Sequence, residues 1–299
     1  MSGIPNLFII GASKCGTTML HDLLAQHPDI FMSSPKELWH FNRVDHRDRE
    51  GAYLDFFKEG DGFAVRGEST PIYSETLAFP HVPAAIHEFS PQAKIIYMVR
   101  EPFSRFRSQW AQTLDNGHWA RHTHYESIMP TSFRQAVFKH PPFLLSSMYW
   151  TNILRFKEYF ADESLMVILF EEFVSDVEAT CARVFKFLGV DQRFHVDPNA
   201  GRQNKSEGKS IYNPAVSWFR RAVPEEIRAK LPVGLRRRVR DRIVGLAAPG
   251  FDQSDLSSEE ISEVRRRLEP EVSALYEYRG IDDDPWGFFA PASTDQPRF

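Results

Sequence analysis

The chain has 299 residues, of which 42% are hydrophobic, and a formal net charge of −4. This length and apolar content can form one large core, and the negative charge argues against a general nucleic-acid-binding protein. No apolar run approaches the roughly 18 residues of a membrane span, and the first residues lack a charged-then-apolar export pattern, so we expect a soluble, cytoplasmic protein. The two cysteines, Cys15 and Cys181, fit a reducing compartment better than a disulfide framework.

The first predicted element is a strand that leads into an anion-binding turn. An apolar run over residues 7–10 is followed by a glycine-containing turn and by a helix-like stretch over residues 19–24. In that order, the N–H groups of the turn and of the helix N-terminus point at one place, which predicts a bound phosphate-like group. The residues predicted to hold it are Ser13, Lys14, Cys15, Gly16, Thr17 and Thr18. The alternative is a chance turn, since a short glycine pattern is weak on its own.

The spacing within this turn differs from that of an ordinary ATP-binding loop. Such loops place a lysine directly before Ser or Thr, whereas Lys14 lies three residues before Thr17. We expect Lys14 to supply a mobile positive charge for a developing anion and Gly16 to allow close backbone approach. We expect Cys15 to contribute only its backbone, and a reactive thiol is the alternative.

A later predicted strand, over residues 93–99, also ends at a candidate anion-binding residue. Arg100 follows the strand directly, and Pro102 favours a turn before a helix-like stretch over residues 103–110. Arginine offers a planar fork of donors to a phosphate, and an arginine at the carboxyl end of a strand faces the ligand crevice of an open α/β sheet. The alternative for Arg100 is a salt-bridged residue at the strand end.

Together, these two blocks resemble those of the sulfotransferases that use 3′-phosphoadenosine 5′-phosphosulfate (PAPS). Residues 14–18 read Lys-Cys-Gly-Thr-Thr, and the phosphosulfate loop of that family reads roughly Lys-x-Gly-Thr-Thr after a strand. Arg100 and Ser108 match the two family positions that hold the 3′-phosphate of the donor. The resemblance covers most of residues 5–287. It implies PAPS as co-substrate, 3′-phosphoadenosine 5′-phosphate (PAP) as product, and no metal.

Alternating strands and helices predict an α/β protein with a central parallel sheet flanked by helices. The predicted strands lie near residues 6–11, 63–67, 93–99 and 165–170. A closing amphipathic helix is predicted over residues 255–279. The family resemblance adds a P-loop-like three-layer fold with a single sulfotransferase domain over residues 1–287, and we expect a flexible tail over residues 288–299. This topology places the ends of the first and third predicted strands side by side, where Lys14 and Arg100 would meet.

Transfer of a sulfuryl group to a hydroxyl also needs a base for the hydroxyl proton. The candidate bases are His21, Glu37, His40, Glu68 and His118. Glu37 begins a Glu-x-x-x-Phe segment that resembles that of the heparan sulfate sulfotransferases, whose glutamate takes the acceptor proton, and it is our choice; an exposed surface carboxylate is the alternative. For His40 we favour packing or substrate contact, although a histidine is the base in the cytosolic branch of the superfamily. The candidate catalytic set is Lys14, Glu37, Glu68 and His40.

Residues 65–73 resemble a heparan-type stretch but depart from it at one position. Where those enzymes have a second lysine near the reacting group, this chain has Ser69. A hydroxyl can hydrogen-bond a sulfuryl oxygen but contributes no full charge, so the two-lysine arrangement is not carried over. Glu68 matches the glutamate of that stretch, which could orient other side chains or touch the acceptor. The alternative for Glu68 is pairing with Arg66 or another base.

Two later segments are candidates for binding anions. Residues 202–210 resemble the family's loop over the donor's 3′-phosphate, although Glu207 replaces the usual base, and a flexible surface loop is the alternative. The residues predicted to bind there are Lys205, Ser206, Gly208 and Lys209. The arginine-rich stretch over residues 220–242 could be a basic rim for an anionic acceptor, a membrane-surface patch or a solvated helical surface.

The sequence therefore predicts a PAPS-dependent sulfotransferase that acts on a hydroxyl, with a carbohydrate acceptor favoured. One alternative is an ATP- and Mg²⁺-dependent small-molecule kinase, against which the position of Lys14 argues. The other is a non-catalytic module that binds a nucleotide or a sulfated glycan, which the departures at Ser69 and Glu207 favour. The predicted partner is a small-molecule or glycan acceptor rather than nucleic acid.

Overall fold

A computed structural model describes residues 3–116, 132–199 and 256–289, without the side chains of residues 111–116. Its five strands, β1 to β5, are Leu7–Gly11, Ile30–Met32, Val65–Ser69, Lys94–Val99 and Leu165–Leu169. The helices in these ranges, α1 to α10, are Thr17–Leu24, Glu50–Leu54, Val82–Phe89, Pro102–Asn116, Phe133–Lys139, Pro142–Leu145, Tyr149–Lys157, Phe170–Ser175, Val177–Leu188 and Ser258–Arg279.

The five strands form one parallel sheet in the order β2-β3-β1-β4-β5. The central strand β1 pairs with β3 and β4, so that Ile9 lies beside Ser69 on one side and Ile96 on the other. The carboxyl ends of β1, β3 and β4 therefore meet at one edge, which is where ligands bind in open α/β sheets. The predicted α/β fold, with its parallel sheet and helices, is confirmed.

The sheet core explains why most strands could be predicted. Residues 7–10 of β1 are fully buried, as are residues 95–99 of β4, because parallel strands with helices on both faces need apolar side chains on both faces. The observed β3 starts and ends two residues later than predicted. The structure adds β2, whose three residues are too few to show a pattern.

The last described helix, α10, confirms the predicted closing helix with a later start. Ser257 caps its N-terminus in a capping box with Glu260, and Gly280 ends it in a left-handed conformation. Glu271 on this helix accepts a hydrogen bond of 2.8 Å from the N–H group of Thr151 in α7. This hydrogen bond joins α10 to α7.

Contacts between Cα atoms divide the chain into two compact units. The first comprises residues 1–105, 144–204 and 257–299 and contains the whole sheet; the second comprises residues 106–143 and 205–256. Within the described part of the second unit, Trp110 packs edge-on against Phe133, with ring centres 5.6 Å apart. The expectation of a single domain over residues 1–287 stays a prediction.

In the described ranges, no helix is long and apolar enough to cross a bilayer.

The core of the first unit contains a buried carboxylate, Glu75. Its side chain accepts a hydrogen bond of 2.9 Å from the hydroxyl of Ser146 and is almost wholly excluded from water. Burial raises the pKa of Glu75 to about 7, although the Ser146 hydrogen bond and the charge of Arg105 act in the opposite direction. Glu75 therefore binds a proton more tightly in the folded protein than in the unfolded chain.

This pKa difference makes the effect of Glu75 on stability depend on pH. The pKa of Glu75 is about 7 in the folded protein and 4.5 in the unfolded chain. Between these two pH values the folded state binds more protons than the unfolded state, so the folded protein loses stability as the pH rises through this range. Between pH 5 and pH 8, we expect the unfolding free energy of the wild type to fall by about 2 to 3 kcal/mol relative to Glu75→Gln. Urea denaturation at both pH values measures this difference. The exposed Glu158→Gln is the control, and parallel profiles for wild type and Glu75→Gln would contradict the prediction.

Candidate active site

The loop between β1 and α1 has the backbone of an anion cradle. Gly16 caps α1 at a φ of 84°, and a Cβ atom there would lie 2.8 Å from the ring of Phe170, so only glycine fits without a shift of that ring. Lys14 also has a left-handed φ, of 72°. The first N–H groups of a helix have no intrahelical partner and attract anions, and the first turn of α1 contains no acidic side chain.

Backbone hydrogen bonds and the buried side chain of Cys15 hold the loop between β1 and α1 against the core. The N–H group of Ala12 donates to the carbonyl of Met98 in β4, and that of Cys15 donates to the carbonyl of Ala12. Cys15 is fully buried, and this burial raises the pKa of its thiol to about 12 against the opposing charges of Arg105 and Arg100. The thiol therefore stays protonated at neutral pH, which supports a backbone role for Cys15.

Arg100, at the end of β4, lies beside this loop. One terminal nitrogen of its guanidinium donates to the carbonyl of Lys14 at 3.4 Å, and the group lies 4.5 Å from the centre of the Phe170 ring. The Arg100 carbonyl is held by the hydroxyl of Tyr149 at 2.7 Å. The Nε atom of Arg100 is buried and has no hydrogen-bond partner among the described residues. A buried, unpartnered donor beside an anion cradle fits a phosphate-like ligand.

Several predicted binding residues lie in the second unit or outside the described residues. Ser108 lies on α4 in the second unit. Outside the described residues lie His118, the arginine-rich stretch 220–242 and the predicted 3′-phosphate loop. The residues of that loop are Lys205, Ser206, Gly208 and Lys209. Their roles stay predictions.

Glu37 lies at the same sheet edge as the cradle. Its N–H group donates to the carbonyl of Ser69, the last residue of β3, at 3.1 Å. Its carboxylate, with 37% of the side chain exposed, receives a hydrogen bond of 2.6 Å from the ammonium group of Lys36. Glu37 and Trp39 both have left-handed φ angles, of 67° and 54°. The segment is therefore not helical, and Glu37 and His40 share no helix face.

Lys36, which directly precedes Glu37, is a further candidate site residue. It is not a solvated lysine, because only 15% of its side chain is exposed. Burial raises the pKa of Asp22 and of Glu68, and the charge of Lys36 acts in the opposite direction on both. The only signal for it in the sequence was its position beside Glu37.

The two described histidines among the candidate bases are buried. His40 is 5% exposed and its ring stacks on that of Tyr53, with ring centres 4.0 Å apart. Burial lowers the pKa of His40 to about 4, with further lowering by His46. Burial, with the charge of Lys36, also lowers the pKa of His21 to about 4. His40 is thus a neutral, packed ring, which fits a packing role, and a catalytic role for it stays a prediction.

Glu68 is fully buried and is bonded to hydroxyl groups. Its carboxylate accepts hydrogen bonds from Tyr53 at 2.6 Å, Thr70 at 2.7 Å and Tyr73 at 3.2 Å. Burial raises the pKa of Glu68 to about 7 in spite of these hydrogen bonds. The alternative pairing with Arg66 is wrong, because that guanidinium donates to the carbonyls of Ile4 and Phe63 instead.

Ser69, the residue in place of a second lysine, has a fully buried side chain at the carboxyl end of β3. In the part of the chain that the structure describes, its hydroxyl has no hydrogen-bond partner. An unpaired buried hydroxyl is costly, and a hydrogen bond to a ligand oxygen at this edge would satisfy it.

The residues that the structure describes contain no group of three or more His, Cys, Asp and Glu side chains that could hold a metal ion. The absence of a metal from the site stays a prediction.

Trp286 is partly buried and packs against the core of the first unit. Its indole N–H donates to Glu171 at 2.9 Å, and its ring packs against those of Tyr149 and Tyr276. Glu171 in turn accepts a hydrogen bond from the N–H group of Glu101, directly after Arg100. These contacts give Trp286 a packing role.

A strand–turn–helix anion cradle, next to an arginine that follows the neighbouring strand, is typical of α/β proteins that bind phosphate-bearing ligands. Residues 5–223 match the sulfotransferase domain family, and the chain belongs to that family. The resemblance inferred from the sequence is therefore confirmed.

The sulfotransferases to which the chain is similar include the following two. It is 25% identical to carbohydrate sulfotransferase 15 of Mus musculus over 246 residues, which cover 62% of this chain and 44% of the relative. It is 28% identical to heparan sulfate glucosamine 3-O-sulfotransferase 6 of Homo sapiens over 210 residues, which cover 66% and 57%. The chain thus spans about half the length of these relatives.

Among solved structures, the fold is similar to that of a sulfotransferase from Alicyclobacillus acidocaldarius. The TM-score is 0.64 at 22% identity, and the match covers 94% of this chain and 98% of the other. At that identity the likeness concerns the fold alone.

Proposed function

We propose that the protein transfers a sulfonate group from PAPS to a hydroxyl group of an acceptor. The observation that carries the proposal is the hydrogen bond between Arg100 and the carbonyl of Lys14, which joins two blocks that are 86 residues apart. PAPS is anionic at its 5′-phosphosulfate and at its 3′-phosphate. A loop with helix N–H groups and the half-buried Arg100, whose Nε atom is an unused donor, suit two such groups.

In the proposed reaction, Glu37 accepts the proton of the acceptor hydroxyl. The hydroxyl oxygen forms a bond to sulfur as the bond between sulfur and the phosphate oxygen breaks, and Lys14 stabilises the negative charge that develops on that phosphate oxygen. The ammonium group of Lys36 donates a hydrogen bond of 2.6 Å to the Glu37 carboxylate and so helps to orient it. PAPS supplies the activated sulfuryl group.

We propose a carbohydrate as the acceptor class. Support comes from the Glu37 segment and from the names of the two relatives, a carbohydrate sulfotransferase and a heparan sulfate glucosamine sulfotransferase. We also propose a cytoplasmic location, which the two buried, unpaired cysteines support.

Two measurements test the proposed function. Calorimetry compares PAP with ATP, each with and without Mg²⁺; tight, Mg²⁺-independent binding of PAP is expected, and preference for ATP with Mg²⁺ would instead favour the kinase alternative. Transfer of radiolabelled sulfonate from PAPS to a panel of glycans and small hydroxyl compounds is then measured. Binding of PAP without transfer to any acceptor would favour a non-catalytic module.

Replacement of Arg100 tests the predicted contact with the 3′-phosphate. We expect Arg100→Ala to weaken PAP binding by about 1.5 to 3 kcal/mol, the range for a hydrogen bond to a charged group. Binding of adenosine 5′-phosphate, which lacks the 3′-phosphate, should change much less. Calorimetry with both ligands measures the difference, and Arg47→Ala, an exposed arginine paired with Glu88, is the control. Equal losses for both ligands would assign Arg100 a structural role.

A further inference from the structure

The segment that carries Glu37 has an unusual backbone that its own sequence does not explain. Glu37 and Trp39 adopt left-handed φ angles although neither is glycine. Such residues persist only where the surrounding structure fixes them. Groups outside residues 37–41 must therefore hold this segment in its conformation.

Two side-chain hydroxyl groups accept hydrogen bonds from backbone N–H groups of this segment. The Thr70 hydroxyl oxygen accepts from the N–H group of Leu38 at 3.1 Å. The Tyr73 hydroxyl oxygen accepts from the N–H groups of His40 at 3.0 Å and Phe41 at 3.2 Å. The segment is thus bonded to side chains at the end of β3 and in the turn that follows it.

Each hydroxyl group can donate one hydrogen bond. The Glu68 carboxylate accepts that hydrogen bond from Thr70 and from Tyr73. Thr70 donates to one carboxylate oxygen at 2.7 Å, and Tyr73 donates to the other at 3.2 Å. With their hydrogens directed to Glu68, both hydroxyl oxygens keep lone pairs for the N–H groups of the segment. Tyr53 donates to Glu68 as well, and its ring stacks on His40 from the same segment.

We propose that Glu68 is a positioning residue, whose carboxylate orients the hydroxyls of Thr70 and Tyr73 and thereby holds residues 37–41 in the conformation that presents Glu37 to the acceptor. This inference rests on the proposed function, in which Glu37 is the base. Because the side chain of Glu68 is fully buried and its oxygens are occupied by three hydroxyl groups, it acts through other residues and does not take the acceptor proton itself.

Amide hydrogen exchange tests the network independently of any activity. In Tyr73→Phe, which keeps the ring and removes the hydroxyl, we expect the N–H groups of His40 and Phe41 to exchange about tenfold faster or more. The control is Tyr276→Phe, which removes a buried tyrosine hydroxyl bonded to Asp284, away from this segment. Unchanged exchange at residues 40 and 41 in Tyr73→Phe would overturn the proposal.

Kinetics distinguish positioning from general structural damage. We expect Thr70→Val to lower kcat about tenfold or more, because the N–H group of Leu38 loses its acceptor, while the affinity for PAP stays within about twofold. Thr70→Ser, which retains a hydroxyl, should recover most of the wild-type kcat. Equal kcat values for Thr70→Val and Thr70→Ser, or a parallel loss of PAP binding, would overturn the positioning role.

The two arms also separate this inference from the proposed function. If the wild type binds PAP but transfers no sulfonate, the proposed function fails, and faster exchange at residues 40 and 41 in Tyr73→Phe would still support the hydrogen-bond network. If the wild type transfers sulfonate and these variants match it in exchange and in kcat, the proposed function stands and the role of Glu68 is rejected.

Discussion

Replacing Lys14 with alanine is expected to lower kcat for sulfonate transfer by about 10²- to 10³-fold or more, the effect of removing one group that stabilises transition-state charge. The ammonium group lies on the loop where the leaving phosphate oxygen is expected, and the transition state of such transfers is loose, so that electrostatic stabilisation dominates. Alanine keeps the same left-handed backbone requirement as lysine at this position, where φ is 72°. The unfolding free energy should therefore change little.

Turnover of labelled PAPS and chemical denaturation together check this result. Lys58→Ala, which removes an exposed lysine paired with Asp55, is the matched control and should keep wild-type turnover. Wild-type turnover in Lys14→Ala would remove Lys14 from the mechanism. A large loss of stability in that variant would show instead that Lys14 supports the loop.

Replacing Glu37 with glutamine is expected to lower kcat by about 10²- to 10⁴-fold, the range for loss of a general base. Glutamine has nearly the same shape, and its carbonyl oxygen can still accept the hydrogen bond from Lys36, so the segment should keep its conformation. The affinity for PAP, which is bound by other residues, should stay within about twofold. Single-turnover kinetics and calorimetry measure the two quantities separately.

The control for Glu37→Gln is Glu158→Gln, an exposed carboxylate paired with Arg155 in the same unit. It should behave as the wild type in both measurements. If Glu37→Gln retained wild-type kcat with a productive acceptor, the base would have to be sought elsewhere, and the buried, neutral His40 and His21 would need to become accessible first.

The parts of the fold that could be predicted are those whose signal is local. The apolar runs of β1 and β4 are continuous because both faces of a parallel sheet are covered, and this pattern is visible in five or six adjacent residues. Parallel topology then brings their carboxyl ends together, which predicted the neighbourhood of Lys14 and Arg100 from the sequence. Their hydrogen bond confirms that neighbourhood.

The arrangement around Glu68 could not be predicted, because its partners come from separate segments. Tyr53 precedes β3, Tyr73 follows it, and the N–H groups that they help to hold belong to residues 37–41. Left-handed φ angles at a glutamate and a tryptophan leave no mark in the sequence, since only glycine announces such a conformation. The sequence therefore identified Glu37 and Glu68 as candidates, but it did not show that the hydroxyls of Thr70 and Tyr73 link Glu68 to the segment that carries Glu37.

The ring of Phe170 contacts both of the predicted anion-binding segments, the loop at Gly16 and Arg100. Its ring leaves no room for a side chain at Gly16, and its face supports the guanidinium of Arg100. A smaller residue at position 170 would make room at position 16 but would remove the surface on which the arginine rests, and the left-handed φ of Gly16 would still disfavour a side chain there. We therefore expect related sequences that bind the same donor to keep these three residues together.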